Sequence, residues 1–242
     1  MNWVLSKPLV AAKGLNMADH LLHGSPPVAL TLRRSGRARR ISLRISQLDG
    51  RVTLTLPEGV CEDEALSFAR SKENWIRSHL ETRPEATVIG YGAILPVEGV
   101  SHQVVQTGGR RMIRADGQIG VPEGAVGRRL QSWLRELARD RLADASDRYS
   151  QSLGRPYSRI TLRDTRSRWG SCTSKGALMY SWRLILCPPE VLNYVAAHEV
   201  AHLAEMNHSS AFWNTVTRIH GPYDAPRTWL RTNGSGLHSY RF

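Results

Sequence analysis

HEVAHLAEMNHSSAFW, His198 to Trp213, places three histidines and two glutamates within eleven residues. If this stretch is helical, His198 and His202 lie four residues apart on one face, so two imidazoles can aim at a single ion. Glu199 projects to the side of that pair, where it is poorly placed as a ligand but able to take a proton from a water beside the ion. That is the mechanical content of the H-E-x-x-H pattern. The flanking VLNYVAAHEVAHLAEM carries apolar residues, and small Ala196, Ala197 and Ala201 permit close packing of a buried helix. The bland alternative is two core histidines beside an exposed Glu199, and it requires polar rings to find partners in an apolar setting.

A zinc site that keeps one open position needs a third protein ligand. His208 is the expected one: the chain can turn at Asn207, a residue that tolerates the left-handed conformation ending a helix, and bring the His208 ring beneath the other two. Glu205 shares the helical face of His198 and His202 and is expected to orient a ligand or form a salt bridge. His220, Asp224 and His238 remain fallback ligands. The metzincin pattern does not fit, because Glu205 stands where it requires glycine and no methionine follows Met206.

Working outward, Pro188-Pro189-Glu190 opens the motif helix, expected over Pro189 to about Met206, and Ser209 or Ser210 caps another helix through Phe212, Trp213 and Val216. Upstream, Ser158 to Asp164 and Ala177 to Leu186 read as strands joined by RSRWGSCTSKG as a turn or wide hairpin. Val126 to Leu153 is a long amphipathic helix, with Leu130, Trp133, Leu134, Leu137, Leu142 and Ala145 on one side and Gly154 placed to end it. From Thr87 to Pro122 glycines punctuate short β-like runs, and Glu62 to Arg83 has helical spacing behind acidic residues. Val28 to Pro57 reads as a hairpin or meander, with ISLRI and VTLTL alternating around a Leu48-Asp49-Gly50 turn. No internal repeat stands out.

The expected fold class is therefore α+β, a β-rich N-terminal region followed by a zincin-like helical domain with a small sheet and the motif helix. The expected organisation is a leader over 1–26, a β-rich region with one helix over 27–122, a catalytic domain over 123–231 and a loose tail over 232–242 whose aromatic ends can dock.

RDTRSRWGSC (Arg163 to Cys172), YSWRLILCPPEVLNYVAAHEVAHL (Tyr180 to Leu203) and NHSSAFW (Asn207 to Trp213) together resemble the YgjP-like metallopeptidase family, zincins related to the SprT and Spartan-type proteases. The resemblance extends to the basic RRSGRARRISLRI and the helix bearing Trp75-Ile76, and so covers most of the chain. It implies one zinc ion bound by His198, His202 and His208, with Glu199 as general base in peptide hydrolysis through a metal-activated water. The sequence departs from the family in Ser181, where asparagine is common, and in its extension past Arg231. Arg166, Arg168 and Trp169 are candidates for shaping the substrate cleft or stabilising an oxyanion, against the alternative of a core Trp169 and arginines paired with carboxylates. Tyr223 is a further candidate oxyanion donor.

Composition sets the frame for partners. The 242 residues carry a formal net charge of +12, and the lysines are only Lys7, Lys13, Lys72 and Lys175, so the charge is arginine's. It concentrates at Arg33, Arg34, Arg37, Arg39 and Arg40, and again at Arg155, Arg159, Arg163, Arg166 and Arg168. Such a surface suits nucleic acid as well as acidic protein, or simply solvates exposed faces. A nucleic-acid-dependent protease of the Spartan type is thus an alternative, with the Arg33 to Arg44 region as binding surface. So is a metal-dependent endoribonuclease, since three histidines at this spacing also resemble bacterial enzymes of ribosomal RNA maturation; that family, however, typically has glycine at the position of Glu199 and lacks the RWGSC segment. The expected main partner is a protein or peptide substrate, with no membrane span and no export signal. Cys61, Cys172 and Cys187 are widely spaced and suggest neither a disulfide framework nor a zinc ribbon, which fits a cytoplasmic protein.

Overall fold

The computed structural model describes residues 19–46, 50–81 and 86–242. These fall into two compact units, one within Met1–Arg83 and one within Pro84–Phe242. Residues 86–122 fall in the same unit as the H-E-x-x-H motif. The architecture is α+β, with a β-rich N-terminal part. Among the described residues no helix is long and apolar enough to cross a membrane.

The first unit builds one sheet from β1 (Asp19–Leu22), β2 (Val28–Arg34), β3 (Ser42–Ile45) and β4 (Val52–Leu56). The expected hairpin forms, with Ser42 opposite Thr55 and Ile45 opposite Val52, although most of its turn, including Leu48 and Asp49, lies outside the described residues. It is not a meander: β2 runs parallel to β4, giving the order β1-β2-β4-β3. Alternation sends Leu30, Val52, Leu54 and Leu56 into a core completed by Ala65, Ala69 and Ile76. Those last three come from α1 (Glu62–Ser71) and α2 (Glu73–Glu81), two helices where one was expected. The interruption falls where Ser71 Oγ donates to the Phe68 carbonyl at 2.8 Å, a local bond that competes with helix continuation. β1 also places the described end of the expected leader, through buried Leu22, in this sheet.

The second unit begins with β5 (Thr87–Val88), then β6 (Ile94–Val97), β7 (Val100–Thr107), β8 (Ile113–Ala115) and β9 (Gln118–Pro122). Its sheet β6-β7-β9-β8 repeats the antiparallel, parallel, antiparallel pattern of the first unit. No sequence period betrays this likeness, because strand order depends on pairing across loops and not on residue identity. Next comes α3 (Val126–Leu153), which runs its expected length. It stops at Gly154, whose left-handed φ of 72° accompanies a return of its own amide to the Gln151 carbonyl and of the Arg155 amide to the Ser150 carbonyl. Leu130, Leu134, Ala138, Leu142 and Ala145 form its buried stripe.

A three-stranded sheet follows, made of β10 (Arg159–Arg163), β11 (Gly170–Cys172) and β12 (Ala177–Ser181), in the order β10-β12-β11. The expected wide hairpin is replaced by a parallel pairing of β10 with β12, and RSRWGSCTSKG contributes its own edge strand, antiparallel to β12. The strand expected to reach Leu186 ends at Ser181, and Trp182–Leu186 coils into a tight turn with all five residues buried. An apolar run of this kind has no periodicity to separate strand from buried turn. The unit closes with α4 (Pro189–Ala201), α5 (Ser210–His220), α6 (Asp224–Asn233) and β13 (Tyr240–Arg241). The tail is docked, not loose: β13 pairs in parallel with β5, Leu237 is buried, and Phe242 meets Trp182 edge-on with ring centroids 5.3 Å apart.

Candidate metal centre

The motif helix α4 starts with Pro189 in its first turn and is buried nearly all round, through Val191, Leu192, Tyr194, Val195, Ala196, Ala197, Val200 and Ala201. Such a helix sits inside the fold and not on its surface. It ends at Ala201, shorter than expected, so His202 occupies the capping position. Asn207 does not adopt a left-handed conformation; the return begins five residues earlier, with Leu203 and Ala204 amides bonded to Val200 and Ala201 carbonyls. The turn brings His208 back to the helix.

The ring nitrogens of His198, His202 and His208 lie within 4.8 Å of one another. His208 Nε2 is 3.0 Å from His198 Nε2, so these two atoms face a common point. His202 donates its Nδ1–H to the Glu205 carbonyl at 2.9 Å, which leaves the Nε2 lone pair of the neutral ring free. Beneath all three lies Phe212, fully buried, with ring centroids 4.9, 4.5 and 4.7 Å from His198, His202 and His208. Burial, followed by repulsion from His202 and His208, pushes His198 down to about 3, so its ring is neutral and one of its nitrogens can donate an electron pair. His198 Nδ1 is buried without a hydrogen-bond partner. Three imidazoles converging with no sulfur among them suit zinc and other borderline cations. The residues present therefore fit a metal ion.

Glu199 is 6% exposed. Burial raises its carboxyl to about 8, with the Arg168 guanidinium pulling the other way. A carboxylate poised near neutrality is a group that exchanges protons. It lies against Gly170 on β11, so closely that a Cβ there would fall 2.4 Å from Glu199 Oε1.

The remaining candidates separate. Arg166 and Arg168 are exposed, and Arg168 acts on Glu199 through its field. Trp169 packs against His238 with ring centroids 5.1 Å apart and planes tilted by 32°, and its carbonyl accepts the Ser181 amide at 2.8 Å. Tyr223 stacks on Trp213 at 5.0 Å and on Tyr194 at 6.1 Å, extending an aromatic wall that reaches His198. Glu205 meets His202 with its backbone, and its carboxylate makes no ion pair among the described residues. Of the fallback ligands, His220 packs between Tyr149 and Tyr194, and neither His220, Asp224 nor His238 joins the histidine cluster.

Phe212, Gly170 and Tyr194 are not among the site residues expected from the sequence. For Phe212 the signal was present, since it lies four residues past His208 at the start of α5. Gly170 carried none, because its meaning is a contact with a residue 29 positions away.

A family model described as YgjP-like, metallopeptidase domain, matches residues 39–233. The crystal structure of the metallopeptidase zymogen of Pyrococcus abyssi abylysin is similar at 22% identity, over 38% of this chain and 92% of that one, with a TM-score of 0.34. No curated protein matches the chain.

Proposed function

The chain belongs to the YgjP-like metallopeptidase domain family, and on that premise we propose that it is a zinc-dependent peptidase with His198, His202 and His208 as ligands and Glu199 as general base. The observation that carries this reading is the convergence of the three ring nitrogens beside a buried carboxylate. A zinc ion held there would supply positive charge that polarises the scissile carbonyl and acidifies the attacking water. Glu199, in its ionised form beside the positive charge of such an ion, would take the proton of that water and return it to the leaving amine. The Glu205 carbonyl fixes the tautomer and tilt of His202, and Phe212 fixes the floor on which the three rings rest. β11, at the edge of its sheet and next to Glu199, is the strand that an extended peptide would join by backbone pairing. Membership of a metallopeptidase family favours peptide bonds over phosphodiesters as the target.

A second reading, in which nucleic acid stimulates the peptidase, is favoured by Arg33, Arg37, Arg39 and Arg40, all exposed and without a carboxylate partner among the described residues. Charge reversal at these positions then abolishes DNA binding.

One experiment tests both. Purified zinc-loaded protein and its Glu199→Gln variant are incubated with cell extract, with and without single-stranded DNA, and new protein N-termini are mapped by mass spectrometry. New termini from the unaltered protein alone are expected; their appearance only with DNA selects the second reading. Full hydrolysis by Glu199→Gln carrying zinc sinks the general-base assignment.

A further inference from the structure

We infer that Gly170 is a positioning residue for Glu199: the absence of a side chain on β11 creates the space in which the carboxylate stands beside the three histidines. The catalytic meaning of this inference rests on the reading of Glu199 as general base. Its structural content does not.

A Cβ built on Gly170 would lie 2.4 Å from Glu199 Oε1, 2.5 Å from Cγ and 2.7 Å from Cδ. Contact with Cγ means that turning the carboxylate tip aside is not enough, and the side chain must leave its rotamer. The strand cannot retreat instead. Gly170 pairs with Tyr180, and Ser171 and Cys172 pair with Met179 and Leu178. One residue earlier, the Trp169 carbonyl holds the Ser181 amide at 2.8 Å while its ring is packed on His238 and against Gly234. Nor can the helix retreat, since Ala196, Ala197, Val200 and Ala201 around Glu199 are all fully buried. With both backbones held, the movable part is the Glu199 side chain. The R-W-G-S-C segment thereby acquires a division of labour: Trp169 anchors the strand, and Gly170 makes room for the base. No feature of Gly170 suggests a conformational reason for glycine, because its φ is not in the left-handed region.

The test is a cycle of four proteins, unaltered, Gly170→Ala, Glu199→Ala and the double variant, each stripped of metal by chelation and measured for thermal midpoint. Gly170→Ala is expected to lower the midpoint when Glu199 is present and to leave it unchanged in the Glu199→Ala background, where the colliding atoms are gone. The same shift in both backgrounds, zero included, overturns the inference. In parallel, zinc-loaded Gly170→Ala is assayed on whichever peptide the N-terminal mapping yields. A fall in kcat of about a hundredfold is expected from a displaced base, with KM and zinc affinity nearly constant. A fall confined to KM overturns the positioning role. If the stability coupling appears while Glu199→Gln retains full hydrolysis, the packing relation stands and the general-base reading alone fails.

Discussion

The Glu205 carbonyl oxygen, and not the Glu205 carboxylate, accepts the Nδ1–H of His202 at 2.9 Å. Losing an orienting partner of a ligating histidine typically costs about 10- to 100-fold in metal affinity. Glu205→Ala keeps the carbonyl, so its zinc affinity is expected to stay within about threefold of the unaltered protein, well short of that range. Competition titration against a chromophoric chelator decides it. A loss in the tenfold range would mean that the carboxylate participates after all.

Phe212 touches all three histidine rings and is fully buried, so it serves the core and the site at once. Truncation to alanine is expected to cost about 3–5 kcal/mol of stability, the range for deleting a large buried aromatic. It should also loosen the histidines, so that zinc affinity drops even at temperatures where the fold persists. Phe212→Leu, which retains more volume, should recover most of the stability. Calorimetry and chelator competition on the two variants separate these effects.

Glu98 links distant parts of the second unit: its two carboxylate oxygens meet Arg114 from β8 and Arg141 from α3. Burial would raise its carboxyl, but the hydrogen bonds from Arg114 and Arg141 together with the charges of the two guanidiniums hold it below the ordinary value of 4.5. A carboxyl depressed in the folded state stabilises the protein above its unfolded-state value, and that contribution is lost as pH falls through the folded one. Glu98→Gln should therefore lower the thermal midpoint at neutral pH, and the gap to the unaltered protein should narrow steadily below about 4.5. A gap constant from neutrality to pH 3 would show that the ion pairs contribute nothing.

Arg183 is 8% exposed, and its guanidinium is satisfied by both Asp164 oxygens and by the Leu237 and Tyr240 carbonyls. Two of those four acceptors lie past residue 233, where the family match ends. Deleting Gly234–Phe242 removes them, along with the Phe242 ring on Trp182 and the His238 ring on Trp169. Breaking a buried charged network costs about 3–5 kcal/mol. For a unit of this size that corresponds to a thermal midpoint lower by roughly 6–20 °C. An unchanged midpoint would mark the segment as dispensable.

The parts of this molecule legible in its sequence are those whose cause is local. The i, i+4 spacing of His198 and His202, the proline opening of α4, and the leucine stripe of α3 ending at Gly154 all follow from helix geometry within a few turns. His208 could be picked out because a short return from the helix constrains where the chain can go. Tertiary structure alone decided the rest. It set β10 parallel to β12, buried Arg183 among carbonyls of the C-terminal segment, slid Phe212 under the histidines and pressed Gly170 against Glu199. Each of these depends on which distant segments share a surface. Side-chain periodicity tells which face of an element is apolar, but it does not name the partner that covers it.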